Sequence, residues 1–379
     1  MTREVVVTGV GAVTCHGAGA DTLWQAMKAA GVRRPDRPAD PLARMELPLI
    51  NLVPDPDLSA ARATRFAVAA AREALADAGL TASRAAVVIG SCMGEAGLNE
   101  RGRGGEEWVA PFRLASEVAT ELGLVGAAHD VGNACSAGGY ALGMALDMVR
   151  AGEADVVLAG GSDAYSRVAL GCFNRLGAVD PVNCRPFEAD RAGTVFAEGA
   201  GMLVVESAEH ARARGVARPL TLAGSGWSCD AGHVTAPNAD GEQIVRAMRE
   251  AVGGDEGAGR IGCVVPHGTG TRLGDEVESQ ALHSVFGART GRVPLYSLKA
   301  LLGHAGGASA ALGAVAAALI LRHGHVPRNI RLERQDPGCA VWLPQDGAVP
   351  LRADRRRVLV NAYGFGGSNS SVVLEGAAP

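Results

Sequence analysis

Strand and helix signals alternate from one end of the chain to the other, and the order of that alternation occurs twice. Short β-branched runs separated by Ala-rich helical stretches mark an α/β protein. The first half opens with a Val-rich strand, Glu4 to Gly11, and the second with a comparable strand, Pro219 to Gly226. The spacing then predicts a helix (Arg65 to Ala78; Glu242 to Val252), a strand ending near a turn (Ala85 to Gly90; Gly262 to Pro266) and a second helix (Leu114 to Leu122; Asp275 to Phe286). In the third units an extended segment passes through a Gly/Ser turn into a long small-residue helix. Asp130 to Ala134 leads into Cys135-Ser136-Ala137-Gly138, and Leu295 to Leu298 leads into Lys299 and Gly303-His304-Ala305-Gly306-Gly307. Late strands close each half: Gly201 to Glu206, then Arg357 to Asn361 with Ser371 to Glu375. The implied units are 1–215 and 216–379.

A length of 379 residues with 47% hydrophobic and 20% charged residues suits a globular protein with a sizeable core, not a disordered chain. Lys and Arg number 36 against 40 Asp and Glu, for a net charge of −4. The basic surplus that drives non-specific nucleic-acid binding is missing. No two of the eight cysteines form a Cys-x-x-Cys pair, which disfavours zinc ribbons and thioredoxin-type redox motifs. The longest apolar stretch, Ser309 to Leu321, is too short to cross a bilayer and predicts a buried helix. Glu4 stands where a signal peptide carries only bases. A soluble, reduced, cytoplasmic protein is expected. Three intervals read as loops suited to partner surfaces or pocket lids: Val32 to Asp57, Glu95 to Pro111 and Phe173 to Gly193.

Four short segments could carry chemistry. Cys135 sits at a strand-to-helix junction, where helix N–H groups and the helix dipole favour thiolate; a small buried hydrophobe is the bland alternative. Pro266-His267-Gly268-Thr269-Gly270-Thr271 places an imidazole on a turn with two hydroxyls. His304 follows Lys299 by five residues, and Lys299 is one of only two lysines in an otherwise arginine-based set. A point charge that arginine's planar fork does not mimic is therefore wanted there. In Tyr363-Gly364-Phe365-Gly366-Gly367 the glycines permit positive φ, as either an anion pocket or a plain hairpin would require. Gly9-Val10-Gly11-Ala12-Val13-Thr14 imitates a dinucleotide fingerprint but lacks its last glycine and a following helix.

In order and wording, Cys135, His267, Lys299, His304 and the Gly364–Gly367 loop resemble the β-ketoacyl-acyl carrier protein synthases, the elongating condensing enzymes of the thiolase superfamily. The likeness spans nearly the whole chain, through Ala154–Gly161, Arg185-Pro186-Phe187, Asp190–Gly193 and Glu198–Gly201. It implies a thiolase-like five-layered α/β/α/β/α fold and a dimer, either of two identical chains or with a related ketosynthase-like subunit. Cys135 would take an acyl group from a carrier-protein thioester, and a malonyl-carrier thioester would lose CO₂ and attack it. His267 and His304 would donate to the enolate oxygen, and Lys299 would set the local electrostatics. The backbone N–H groups of Cys135 and Phe365, with Gly364 and Gly366 shaping the turn, would form the oxyanion hole, and the Phe365 ring would gate the acyl pocket. Thr269 and Thr271 would hold the pantetheine arm. No metal and no dissociable cofactor is expected, because phosphopantetheine arrives on the acyl carrier protein; nor is a nucleic-acid or membrane partner.

Two departures stand out. Family members commonly place an acid in the helix after the Gly-His turn to pair with the lysine, and Ala308 to Ala314 has none. The chain is also short around Glu95 to Pro111. A non-elongating acyltransferase on this scaffold is an alternative, but it would have no enolate to justify two histidines. A pocket-shaping partner subunit is another, but it would lack the cysteine.

Overall fold

A computed structural model describes residues 3–55, 61–81, 84–101, 108–217 and 219–377. Nine strands run side by side in the order Ile261–Val265, Arg357–Tyr363, Ser368–Glu375, Leu220–Cys229, Val5–Thr14, Gly199–Ser207, Val156–Asp163, Ala86–Gly90 and Ala128–Val131. Val5–Thr14 meets Leu220–Cys229 over only two residue pairs, Val6 with Thr221 and Val7 with Leu220, so the sheet is two panels joined at a narrow seam.

The strands read as continuous apolar runs because each panel is buried on both faces, with successive side chains turned to opposite cores. Val88, Val157, Ala159, Val360 and Val372 point inward onto one central core, whereas Val87, Ile89 and Leu158 face a second core and Leu359 and Val373 a third. The helices Arg62–Ala78 and Leu114–Leu122 cover the outside of one panel, and Glu242–Val252 and Arg272–Phe286 that of the other. Between the panels lie Ala137–Ala151 and Ala308–His323. This is the five-layered α/β fold that the resemblance implied.

The middle layer explains the small residues. Residues 308–321 are all buried, as a helix with sheet on two sides requires. Gly138 N–H donates to the Gly307 carbonyl at 2.9 Å, and a Cβ on Gly138 would stand 2.6 Å from that oxygen. The same constraint explains Gly9, where a Cβ would fall 2.0 Å from the Ala74 carbonyl oxygen. The dinucleotide-like wording is thus a packing contact between the first strand and Arg62–Ala78.

Several local expectations need correction. Ala20–Ala29 is a helix, entered through a short hairpin after the first strand. Within Phe173 to Gly193 the first residues complete a helix, Arg167–Arg175, whose N-cap Ser166 accepts from the Ala169 N–H. Val32 to Asp57 contains Ile50–Asn51, which pairs with Phe196–Ala197, while residues 56 and 57 lie outside the described residues. Glu95 to Pro111 begins with the helix Ala96–Arg101, and residues 102–107 likewise lie outside. Among the described residues, no helix is long and apolar enough to cross a membrane.

Candidate active site

Cys135 lies in a 3-10 turn, Ala134–Ser136, that leads straight into Ala137–Ala151. Ala134 is held at φ +48°, a left-handed conformation costing a non-glycine residue about 1–3 kcal/mol. That kink turns the chain from Ala128–Val131 onto the buried helix. Behind Cys135, the Ser136 N–H and hydroxyl both donate to the Asn133 carbonyl, at 3.2 and 2.7 Å.

His267 follows the strand Ile261–Val265, and His304 sits on the turn before Ala308–His323. The two imidazoles are perpendicular, with centroids 5.7 Å apart. Both line one pocket of about 280 Å³ with Cys135, Thr269, Thr271, Gly364 and Phe365. The sequence-derived set thus converges from both halves of the chain. Gly366 does not line this pocket. It stands at φ +80° in the same turn, its N–H donating to the Val234 carbonyl at 2.8 Å. Gly364, by contrast, has φ −113° and is glycine for lack of space: a Cβ would stand 2.9 Å from the Asn133 oxygen and 3.2 Å from the Cys135 nitrogen. The backbone nitrogens of Cys135 and Phe365 have no hydrogen-bond partner among the described residues.

The hydrogen bonds assign a tautomer to His267. Its Nδ1 accepts the Tyr363 N–H at 3.2 Å and faces Lys299 Nζ at 3.5 Å, so the ring proton sits on Nε2. Burial, then the Lys299 charge and the neighbouring His304, hold His267 well below the usual imidazole range, so it stays neutral. The Nδ1 of His304 is 2.9 Å from Ser309 Oγ, whose hydroxyl can donate to it and leave Nε2–H free. Backbone bonds strap His304 on both sides: its N–H donates to Val195 O at 2.7 Å, and its carbonyl accepts from Ala197 N at 2.9 Å. Phe196 stacks on its ring. The series continues through Phe173, edge-on to Phe196 and face to face with Phe365 at 4.9 Å, so the Phe365 ring rests on an aromatic column ending at His304.

The missing partner of Lys299 comes from the helix after the other histidine. Glu278, on Arg272–Phe286, is the foremost negative group acting on Lys299. Its carboxylate accepts the N–H groups of His267 and Gly268 at 2.8 and 2.7 Å. Asp275, one turn earlier, accepts from Phe187 and Gly270. Lys299 Nζ donates to the His267 carbonyl at 2.5 Å, and burial holds the amine below its ordinary range.

A hydrogen bond from Cys92, followed by the charge and hydrogen bond of His304 and the charge of Lys299, brings Cys135 well below the ordinary thiol range despite its burial. The Cys92 thiol moves the opposite way, pushed up by its bond to Cys135, by burial and by Asp163. The two thiols part because Lys299 and the His304 ring face one sulfur and the Asp163 carboxylate the other. Asp163 itself accepts from Ser91 Oγ at 2.7 Å and from the N–H groups of Cys92 and Gly307 at 2.9 and 2.6 Å. The sequence reading passed over Cys92, Asp163, Ser309, Asp275 and Glu278. Only the last two left a signal, as acids one helical turn apart directly after a Gly/Thr turn.

Two family descriptions match the chain: Beta-ketoacyl synthase, N-terminal domain, over residues 51–211, and Beta-ketoacyl synthase, C-terminal domain, over residues 220–333. "Putative polyketide beta-ketoacyl synthase 1" of Streptomyces halstedii is 34% identical, covering 99% of each chain. "Nodulation protein E" of Rhizobium sp. (strain N33) is 33% identical, covering 98% of each. Among solved structures, the ishigamide ketosynthase/chain length factor superposes with a TM-score of 0.85 at 35% identity over all of both chains. A type II PKS acyl-carrier protein in complex with its ketosynthase bound to the hexaketide gives a TM-score of 0.89 at 28% identity, again over all of both chains.

Proposed function

The chain belongs to the beta-ketoacyl synthase family of condensing acyltransferases, and on that premise we propose how its own residues divide the reaction. Cys135 thiolate attacks the thioester of an acyl carrier protein, and the Cys135 and Phe365 N–H groups hold the oxyanion of the tetrahedral adduct until the carrier thiol leaves. A malonyl-carrier thioester then takes its place, its pantetheine arm along the hydroxyls of Thr269 and Thr271, which stand 3.2 Å apart. As CO₂ departs, charge builds on the thioester oxygen, and His267 and His304 donate to it through Nε2–H. The carbanion attacks the acyl-Cys135 carbonyl, the C–S bond breaks, and a 3-oxoacyl thioester two carbons longer remains on the carrier. Lys299 keeps His267 neutral and in place and favours the thiolate.

The observation that carries this reading is the pair of perpendicular imidazoles sharing one pocket with a depressed thiol. Acyl transfer alone forms no enolate and leaves the second donor without a task. No resident metal or cofactor enters the scheme. We place the protein in the cytoplasm, serving fatty-acid or polyketide elongation. The strand Ala128–Val131 ends the sheet beside the Cys135 turn, with Ala128 and His129 exposed. A second copy, or a related subunit like that in the ishigamide pair, would cover this edge.

The test is incubation with acyl- and malonyl-carrier thioesters, following carrier mass and CO₂. Cys135→Ala should abolish loading. His304→Ala should still load but lose condensation by about 10²-fold or more, the scale of one oxyanion donor. Unchanged condensation in the His304 variant would overturn the enolate assignment, and transfer without CO₂ would replace elongation by simple acyl transfer.

A further inference from the structure

Two cysteines leave the sheet together at this site, and the condensation uses only one. Ala86–Gly90 and Ala128–Val131 are parallel neighbours, with Gly90 opposite Val131 and the Ser91 N–H donating to the Val131 carbonyl at 3.0 Å. Cys92 follows the first strand and Cys135 the second, so both emerge at the same end. A shared bracket keeps them close. Asp163 Oδ2 holds the N–H of Cys92 and that of Gly307, while Gly307 O accepts from Gly138 on the Cys135 helix. The space is cleared by absent side chains: a Cβ on Gly306 would stand 3.3 Å from Cys92 Sγ, and one on Gly90 would overlap the backbone of Ala137. Each thiol is the foremost influence on the acidity of the other.

We propose that Cys92 is a resolving cysteine, which closes a reversible disulfide onto Cys135 when a hydroperoxide enters the pocket and so switches the enzyme off without destroying it. In the first step Cys135 thiolate attacks the peroxide. An S–O bond forms, the O–O bond breaks, and the departing oxygen leaves as water or alcohol after taking a proton; sulfur is oxidised by two electrons and the peroxide reduced by two. In the second step Cys92 gives its proton to solvent and attacks the Cys135 sulfenic sulfur. The S–S bond forms as the S–O bond breaks, and hydroxide leaves as water. Two thiols and one hydroperoxide give one disulfide, one alcohol or water, and one further water. A dithiol reverses it.

The order of events follows from the surroundings. Cys135 is the thiolate and lines the open pocket, so it meets the oxidant first. The anionic Cys135 beside it, together with burial, is what chiefly keeps the Cys92 proton on. A sulfenic acid carries no such charge, so oxidation of Cys135 itself releases Cys92 to attack. Without that neighbour, a low-pKa thiolate open to the pocket proceeds to sulfinic acid, which thiols do not reduce. Acylation of Cys135 removes the thiolate, so a loaded enzyme is shielded.

The experiment treats the whole protein with hydrogen peroxide in small excess, in a Cys172→Ser/Cys229→Ser background that removes the two exposed thiols. Expected are a mass lower by about 2 Da, a peptide joined through Cys92 and Cys135, loss of iodoacetamide labelling at Cys135 and full return of labelling with dithiothreitol. Cys92→Ser, which keeps a donor toward Cys135, should instead gain about 32 Da as sulfinate and stay unlabelled after dithiothreitol. Sulfinate accumulating equally in both proteins, or no joined peptide before Cys92 is replaced, would overturn the proposal. These readouts follow the bond itself, so they stand or fall independently of the condensation assigned above.

Discussion

The ammonium of Lys299 lies 2.5 Å from the carbonyl oxygen of His267, inside the same buried cluster in which Glu278 grips the N–H of that histidine from the other side. One residue's backbone is thus held between a cation on its oxygen and an anion on its nitrogen. The imidazole it carries is fixed in position, kept neutral by the neighbouring positive charge and left with its proton on the nitrogen that the Tyr363 N–H does not reach.

Lys299→Met keeps the length of the side chain and removes the charge. The thiolate fraction of Cys135 then loses one of its cationic supports, so the midpoint of iodoacetamide inactivation against pH moves upward. Reaction near pH 6 should slow severalfold, while the rate near pH 9, where even an unassisted thiol is largely ionised, changes little. Condensation should fall further than alkylation, because the His267 turn also loosens. An unshifted alkylation profile would remove Lys299 from the electrostatics of the nucleophile.

Ser309→Ala deletes the hydroxyl against His304 Nδ1 and leaves the helix packing unchanged in size. The imidazole can then carry its proton on the wrong nitrogen, at a cost near that of one buried hydrogen bond, so condensation should drop about tenfold. Acyl loading should persist, and Ser309→Thr should recover part of the loss. Equal losses in loading and condensation would show that Ser309 supports the fold rather than the tautomer.

That Cys135, both histidines and Lys299 would meet was legible because each stands in a turn between a strand and a helix, where glycine and hydroxyl neighbours advertise it. The alternation of elements likewise exposed an α/β protein, and the resemblance supplied its layers. The supporting groups were hidden for a physical reason. Glu278 lies 21 residues before Lys299, and Asp163 lies 71 residues after Cys92; each is an ordinary acid until the sheet order brings it to the site. Cys92 carried no signal, since no sequence spacing reveals that its strand and that of Cys135 are neighbours. The helix after His304 offers Lys299 no acid, because its residues 308–321 are buried on all sides, where an unpaired carboxylate is costly.

Gly364→Ala tests the cleft that would hold the acyl oxyanion. The added Cβ would stand 3.2 Å from the Cys135 nitrogen and 2.9 Å from the Asn133 oxygen, so the Phe365 turn must retreat from the nucleophile. Loss of one aligned N–H should cut acyl loading by about 10²-fold. Thermal stability should change far less, because the turn is partly exposed, and far-ultraviolet circular dichroism would separate the two effects. Normal loading would show that the Phe365 N–H is not an oxyanion donor.

Arg62 and Glu198, both fully buried, join the outer helix Arg62–Ala78 to the strap that carries His304. Arg62 Nε donates to Glu198 Oε1 at 2.9 Å and Nη2 to Oε2 at 2.5 Å, and the same carboxylate accepts the N–H groups of Val53 and Tyr165. Replacing the cation alone strands a charge in a fully buried site. Arg62→Met should therefore cost about 3–5 kcal/mol of unfolding free energy, read as a lower urea midpoint at unchanged slope. Adding Glu198→Leu removes the stranded charge but leaves two N–H donors unpaired. The double variant should regain only part of the loss, and condensation should fall in both as the His304 strap, two residues before Glu198, slackens. A single Arg62 variant as stable as the parent would mean that Glu198 is neutralised some other way and that the ion pair contributes nothing to holding the strap.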